Sequence, residues 1–235
     1  MPIFEKINAG LLPVLEAAGL SVRNRFFEYL DLARNPDPEY RKKLAELIRV
    51  RYSARKIDVI VTVYPEALRF VLNEGQHIFP KAPILALLLP LGFQVPTTGR
   101  VIIPHTIHAS YDLIGTLESA LKLIPSATRV FAVFGSHEND RALENRARRE
   151  FKPWEGRLEF RYLSSMPLEK ILATVSTAPP GSIVFFGTFT ADVSGRNYAS
   201  REVVQRLSQI STAPVFGLYD ILFGYGIVGG SLVSF

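Results

Sequence analysis

Apolar residues along this chain fall into two alternating patterns: short unbroken runs, and stripes at helical spacing. Leu158 to Leu163 reads as a strand in which Glu159 and Arg161 alternate with apolar residues, and the unbroken runs are Asp58 to Val63 (DVIVTV), Ile84 to Leu89, Arg129 to Phe134, Ser182 to Phe186 and Pro214 to Leu218. Runs of this length, without polar alternation, suit parallel strands covered on both faces. Arg25 to Leu30 and Val101 to Ile103 read as two further strands. The stripes predict helices over Phe4 to Ala18 (Pro13 a kink, Gly19 a terminator), from Pro38 onward, over Pro65 to Asn73, and over Tyr111 to Ile124. Three more follow, from Ser136 to about Phe151, from Leu168 through Val175, and over Arg201 to Ile210. In the helix after Pro38, Tyr40, Leu44, Leu47 and Ile48 are expected to face the core; Leu113, Leu117, Leu121 and Ile124 line one face of another.

Local residue chemistry sharpens these boundaries. Asp37 is a good helix cap with Pro38 at the first helical position, and Ser136 and Ser110 are expected to cap two later helices. Asp112 falls in the first turn after Ser110, where the helix dipole favours an anion. Pro65 opens a helix directly from a strand, but tyrosine caps poorly, so Tyr64 is expected to serve another purpose. Strands alternating with helices throughout predict a doubly wound α/β fold with right-handed crossovers. The segment Gly99 to Ile124 reads as the passage from one α/β lobe into a second. Each lobe should open with a central strand, whereas this chain opens with a helix. A strand is therefore expected just before Met1, and the strand-like ending at Ser234-Phe235 suggests truncation there too.

With 235 residues, 48% hydrophobic and 21% charged, the chain can bury a sizeable core and is not of disordered composition. The longest apolar run, Ile84 to Leu91, is too short to span a membrane, and Met1 to Lys6 enters a helical pattern rather than a secretory signal. Cysteine is absent, which excludes thiol catalysis, disulfides and Cys-ligated zinc and suits either a periplasm or a cytosol. The net charge is +5, and the densest basic run, Arg141 to Lys152, is interrupted by Glu144 and Glu150 along a helix. That is a solvated helix face, not a nucleic-acid stripe.

Ligands of doubly wound sheets bind beyond the carboxyl ends of the strands. That rule selects Tyr64, Leu89-Pro90, Gly135-Ser136-His137, Thr188-Phe189 and Tyr219-Asp220. Helices starting at Pro65, Ser110 and Ser136 would add backbone N–H groups suited to an anion. Tyr64, Phe189, Tyr219 and Phe223 could clamp an apolar or cyclic body. Gly224 to Gly229 matches G-x-G-x-x-G, but a dinucleotide site needs a strand before it and a helix after it. Here a glycine-broken aromatic loop precedes and Leu232 to Phe235, strand-like, follows, so the glycines are expected to make a tight bend. His105 and His108 lack the further ligands a zinc site needs, and read as cleft-lining residues. No nucleophile elbow, P-loop or paired carboxylate is present, which shifts weight from enzyme to binding protein. No cofactor, metal or catalytic group is expected.

With these residues in view, the chain resembles the type I periplasmic-binding-protein superfamily. More narrowly, it resembles the ABC-type substrate-binding-like domains that serve as extracytoplasmic sensors of bacterial histidine kinases. The carriers are Glu28 to Asp31, Val59 to Leu68, Ile78 to Ile84, Gly115 to Leu117 with Leu123 to Pro125, and Gly156 to Phe160. The most specific are Pro214 to Asp220 with Gly224 to Gly230. The resemblance implies two Rossmann-like lobes, residues 1–107 and 108–222, joined by hinge crossings. His105 to Ser110 would be the first crossing and residues 223–235 a return toward the first lobe. It further implies a small organic ligand, such as a carboxylate or amino acid, held between the lobes by Tyr64, Pro65, His105, Ser110, Ser136, His137, Thr188, Phe189, Tyr219 and Asp220. Ligand would shift an open–closed equilibrium relayed to a membrane-linked partner, with a homodimer possible and no nucleic acid involved. The expected role is an extracytoplasmic, membrane-anchored sensor domain without enzymatic activity of its own. The alternatives are a periplasmic substrate-binding protein of an ABC transporter and, from a different class, a cytosolic α/β enzyme acting on a phosphorylated or nucleotide substrate.

Overall fold

The computed structural model describes residues 2–89, 93–94, 101–102 and 111–234. Two compact units make up the chain: Arg23–Ser110, and Met1–Val22 together with Tyr111–Phe235. The N-terminal helix α1 (Pro2–Ala17), expected in the first lobe, therefore groups with the chain's second half. There Lys6 Nζ lies 2.6 Å from Asp220 Oδ2.

The smaller unit carries α2 (Pro38–Tyr52), β1 (Ile60–Val63), α3 (Pro65–Asn73), β2 (Ile84–Leu87) and β3 (Val101–Ile102), with the strands parallel in the order β1-β2-β3. Asp37 caps α2 as its sequence predicts, accepting from the Glu39 backbone N–H at 2.9 Å. Ile48 and Tyr52 are buried, but Leu47 is 52% exposed, because it sits roughly 100° around the helix from Ile48. Arg25 to Leu30 is not a strand. Its groups bond to α2 instead: the Glu28 carboxylate accepts from Arg51 and, at 2.7 Å, from the Tyr52 hydroxyl, and the Leu30 carbonyl accepts from the Tyr40 hydroxyl at 3.1 Å. Burial, with the Glu28 carboxylate adding to it, pushes the Tyr52 hydroxyl up to about 12.

The larger unit adds α4 (Leu113–Leu123), β4 (Arg129–Val133), α5 (Glu138–Glu150), β5 (Glu159–Tyr162), α6 (Leu168–Val175), β6 (Ser182–Phe186), α7 (Ser200–Ile210), β7 (Val215–Phe216) and β8 (Ile227–Gly229). All five strands are parallel, in the order β5-β4-β6-β7-β8. The unbroken apolar runs now have a cause. On β4 and β6, Phe131, Val133, Val184 and Phe186 enter one core with residues of α6 and α7, while Val130, Ala132, Ile183 and Phe185 enter the other with α4 and α5. Both faces of each strand are covered.

Strand β8 was not evident from the hydrophobic pattern, and the glycines of the G-x-G-x-x-G stretch explain how it fits. Gly226 (φ +107°) and Gly230 (φ +154°) bracket it. A Cβ on Gly226 would lie 2.0 Å from Ser208 Oγ, and one on Gly230 would lie 2.1 Å from the Gly217 carbonyl oxygen. The bend is thus one that lays an edge strand against β7. Val233 N–H then donates to the Leu218 carbonyl at 2.8 Å, so within the stretch expected to return toward the first lobe Ile227–Gly229 is a strand of the larger unit's sheet and Val233 bridges to Tyr219 beyond it.

Candidate functional site

The larger sheet has the doubly wound order 2-1-3-4-5, whose switch point lies between its first and third strands, here β4 and β6. The loops leaving these strands carry Gly135-Ser136-His137 and Gly187 to Asp192. They are stitched together: Gly135 N–H donates to the Thr188 carbonyl at 2.8 Å and Ser136 N–H to the Ala191 carbonyl at 2.7 Å. Asp140, fully buried, braces the junction by accepting from Thr190 N–H (2.8 Å) and Thr190 Oγ1 (3.2 Å). Gly135 is required there, since a Cβ would lie 2.2 Å from Asp140 Oδ2.

Two expected caps are replaced by neighbours. Ser136 Oγ donates to the Ser164 carbonyl at 2.7 Å, tying the β4 loop to the residues after β5, so it does not cap α5. His137 takes the cap position, its Nδ1 accepting from Asn139 N–H at a long 3.4 Å. On α4 the cap is Asp112, which accepts from Gly115 N–H at 2.8 Å and from Ser231 Oγ at 2.7 Å. The Gly115 bond, then the Ser231 bond, hold its carboxyl below the usual range. Ser110, with His105 and His108, lies outside the described residues.

The remaining candidates follow β6 and β7 in the chain. Phe189 is completely buried, its ring edge-on to Tyr198 at 5.8 Å, so its side chain fills the core. Thr188 Oγ1 is buried without a hydrogen-bond partner. Tyr219 donates its hydroxyl to that of Tyr111 at 2.8 Å, with the rings 5.3 Å apart, and burial raises the Tyr111 hydroxyl above its ordinary value. Asp220 Oδ2 accepts from Lys6 Nζ at 2.6 Å and Ser234 Oγ at 2.7 Å, while Oδ1 is buried with no partner. Burial pushes the Asp220 carboxyl up, but Lys6, Ser234 and the Ile221 backbone N–H outweigh it and hold the group below the usual carboxylate range.

In the smaller unit, Tyr64 (φ +72°, ψ 158°) and Leu88 (φ +56°) both occupy the left-handed region immediately after the neighbouring strands β1 and β2. A non-glycine residue there costs about 1–3 kcal/mol and tends to occur at functional positions. Pro65 is buried at the first turn of α3, and Leu89 is buried as well. A shallow depression lined by Arg55, Ile57, Phe79 and Lys81 lies at the amino ends of β1 and β2, away from these residues. Among the described residues no cluster of three acidic or imidazole side chains could hold a metal, and no helix is long and apolar enough to cross a membrane. Lys6, Tyr111 and Ser234 were not selected from the sequence, because each arrives from an element outside the strand-end rule, whereas Ser164 stands just past β5 and enters through its backbone carbonyl, which no residue type announces.

No protein-family model matches the chain, and no curated protein matches it either. Solved structures do. CD0873, a substrate-binding protein with adhesive properties from Clostridium difficile in its ligand-free, open form, aligns with a TM-score of 0.60 at 13% identity, over 97% of this chain and 75% of its own. A solute-binding protein of an ABC transporter from Rhodopseudomonas palustris BisB5, in complex with 3,4-dihydroxybenzoic acid, gives 0.56 at 15% identity over 93% of this chain and 58% of its own. The ABC domain from Streptococcus pneumonia in complex with L-Trp gives 0.50 at 15% identity, over 81% of this chain and 63% of its own. The chain spans less than two thirds of the length of the latter two. Together with the parallel sheets and their flanking helices, these matches place the chain in the α/β class, with a fold like that of the type I periplasmic binding proteins.

Proposed function

We propose that this chain is an extracytoplasmic binding protein that holds a small organic molecule at the carboxyl ends of its parallel strands and delivers it to an ABC-type permease. One observation carries the reading. Thr188 Oγ1 and Asp220 Oδ1, on the loops after the hydrogen-bonded neighbours β6 and β7, are buried polar atoms without protein partners. More than nine in ten such groups in folded proteins are satisfied, and leaving one bare costs about 1–3 kcal/mol. A bound molecule with polar groups at this mouth relieves both costs. Tyr219, next to Asp220 in the chain, adds an aromatic ring after β7, and Ser136 and His137 stand on the loop after β4, which is hydrogen-bonded to the β6 loop.

Asp140 and Asp192 serve the loops themselves: each is buried and accepts from backbone N–H groups. The transport role is preferred to the sensor role because two of the aligned structures are described as substrate- or solute-binding proteins. The test is a thermal-shift screen against organic acids, amino acids and aromatic carboxylates. A ligand at about 100 times its Kd stabilises by about 2.7 kcal/mol, which raises Tm by about 5–10 °C. Thr188→Val should weaken each hit at least about threefold. A silent screen, or hits indifferent to Thr188→Val, overturns the proposal.

A further inference from the structure

Edge strands are protected unevenly in this chain. On β5, at one edge of the larger sheet, Glu159 and Arg161 are exposed, and the Glu159 carboxylate lies 2.6 Å from both Arg129 Nη2 and Arg161 Nε. At the other edge, β8 is three residues long and the register shifts where it pairs with β7. Charge, shortness and irregularity all hinder an edge from pairing with another chain. Strand β1, at the edge of the smaller sheet, lacks such protection. With the residue before it, the run is Val59-Ile60-Val61-Thr62-Val63, β-branched throughout, without charge or proline, and paired with β2 in an unbroken register from Ile60 to Val63. The Ile60 and Tyr64 N–H groups donate toward β2, to the Pro83 and Leu87 carbonyls at 2.9 and 3.0 Å. Val59, Val61 and Val63 therefore turn their backbone groups to the open side, where no strand lies among the described residues. Val59 is 51% exposed and Val61 38%.

We propose that this edge is a self-association surface, on which β1 of one copy pairs antiparallel with β1 of a second copy about a two-fold axis at Val61. Self-complementarity selects this occupant. With Val61 opposite Val61 and Val59 opposite Val63, the residues that meet are those whose backbone groups point outward, and their pairs exchange about six hydrogen bonds. Directly opposed residues share a face of the sheet, so the exposed valines of both copies join in one apolar patch. The same register lays the Arg55-Lys56 end of each strand beside the Glu66 end of the other, and it keeps the two Asp58 carboxylates about 20 Å apart. The two-fold axis closes the assembly at two copies and makes the smaller sheets continuous. The pairing uses no residue of the proposed ligand site at β6 and β7 and does not depend on it. A single strand edge buries less than a standard interface, so the dimer is weak, with Kd about 10–100 µM.

Sedimentation velocity of the full chain, from about 5 to about 500 µM, measures the association. The expected result is a monomer–dimer equilibrium that Val61→Lys weakens at least about tenfold, because two like charges then oppose each other at the axis. The chain has no cysteine, so a single introduced thiol tests the register. Across a hydrogen-bonded pair the Cα atoms are about 5.5 Å apart, within disulfide reach, so mild oxidation joins Val61→Cys chains into covalent dimers. Asp58→Cys, whose thiols would lie about 20 Å apart, stays uncrosslinked. So does Val228→Cys on β8, although Val228 is no less exposed than Val61. A monomer throughout the range, as when the edge receives a strand from another source, overturns the proposal. A dimer that Val61→Lys leaves intact, growth beyond dimers, or crosslinking of Asp58→Cys or Val228→Cys as fast as Val61→Cys also overturns it. If circular dichroism shows Val61→Lys unfolded, the crosslinking series decides alone.

Discussion

Replacing Asp192 tests the account of how the β6 loop is built. Its carboxylate is buried, with Oδ1 accepting from Ser194 N–H (2.9 Å), Ser194 Oγ (2.5 Å) and Arg196 N–H (3.2 Å). Oδ2 accepts from Leu168 N–H and the Tyr198 hydroxyl, both at 3.2 Å. Leu168 is the first residue of α6, and the residue at its cap position, Pro167, offers no side-chain acceptor, so Asp192 caps this helix from 24 residues away. In Asp192→Asn an NH2 group replaces one oxygen. If it faces α6, the Tyr198 hydroxyl can turn and accept from it, but Leu168 N–H is left with no acceptor. A charge-assisted hydrogen bond is worth about 1.5–3 kcal/mol, so the variant should lose about 2–3 kcal/mol. Asp192→Ala, which strands several buried donors, should lose about 3–5 kcal/mol. Urea unfolding at pH 7 measures both, with the slope unchanged, and Tm for the Asn variant should fall by about 5–10 °C.

The same residue makes a pH prediction. Burial alone would raise the Asp192 carboxyl, but the Ser194 hydroxyl and the backbone N–H groups of Leu168, Arg196 and Ser194 together hold it below its ordinary value. A carboxylate lowered in the folded state stabilises the protein above its unfolded pKa of about 4, and that contribution is lost as pH falls through the folded value. The gap between wild type and Asp192→Asn should therefore shrink below about pH 4. A cost under about 0.5 kcal/mol at pH 7, or a gap that stays constant as the pH is lowered, would refute the reasoning.

The other predictions concern the strand ends. Gly135→Ala puts a methyl group against Asp140 and the Ala191 carbonyl, and should cost about 2–3 kcal/mol in urea unfolding. Tyr64→Gly and Tyr64→Ala both delete the ring, but only glycine accepts φ +72° freely, so the glycine variant should be the more stable by about 1 kcal/mol. Equal stabilities would mean that the left-handed conformation at Tyr64 is not held in solution.

Much of the larger unit is legible in the sequence because its central strands β4 and β6 are covered on both faces. RVFAVF and SIVFF leave little choice but a doubly wound sheet, and the strand-end rule then selects Thr188 and Asp220 without any contact being known; DVIVTV also gives a strand, but Val61 is 38% exposed, so β1 is not covered on both faces. Elements whose partners lie far away in the chain are not legible in that way. Arg25 to Leu30 has strand composition, yet Glu28 finds Arg51 and Tyr52 on α2, and side-chain bonds replace the ladder. Ser136 has the chemistry of a cap, but the Ser164 carbonyl is a nearer acceptor. Strand β8 is three residues among glycines, too short for periodicity to show. Lys6 carries no local signal for its place on Asp220, because the two are separated by 214 residues.

Binding at the carboxyl ends of β6 and β7 is the central claim, and amide chemical shifts measured during titration with a hit from the screen test it directly. The account predicts that saturation moves the amide resonances of Thr188 and Asp220 first and most, with Ser136 and His137 following, while those of Arg55 and Lys81 at the opposite strand ends stay in place. Shifts centred on Arg55 and Lys81, with Thr188 and Asp220 unmoved, would contradict it.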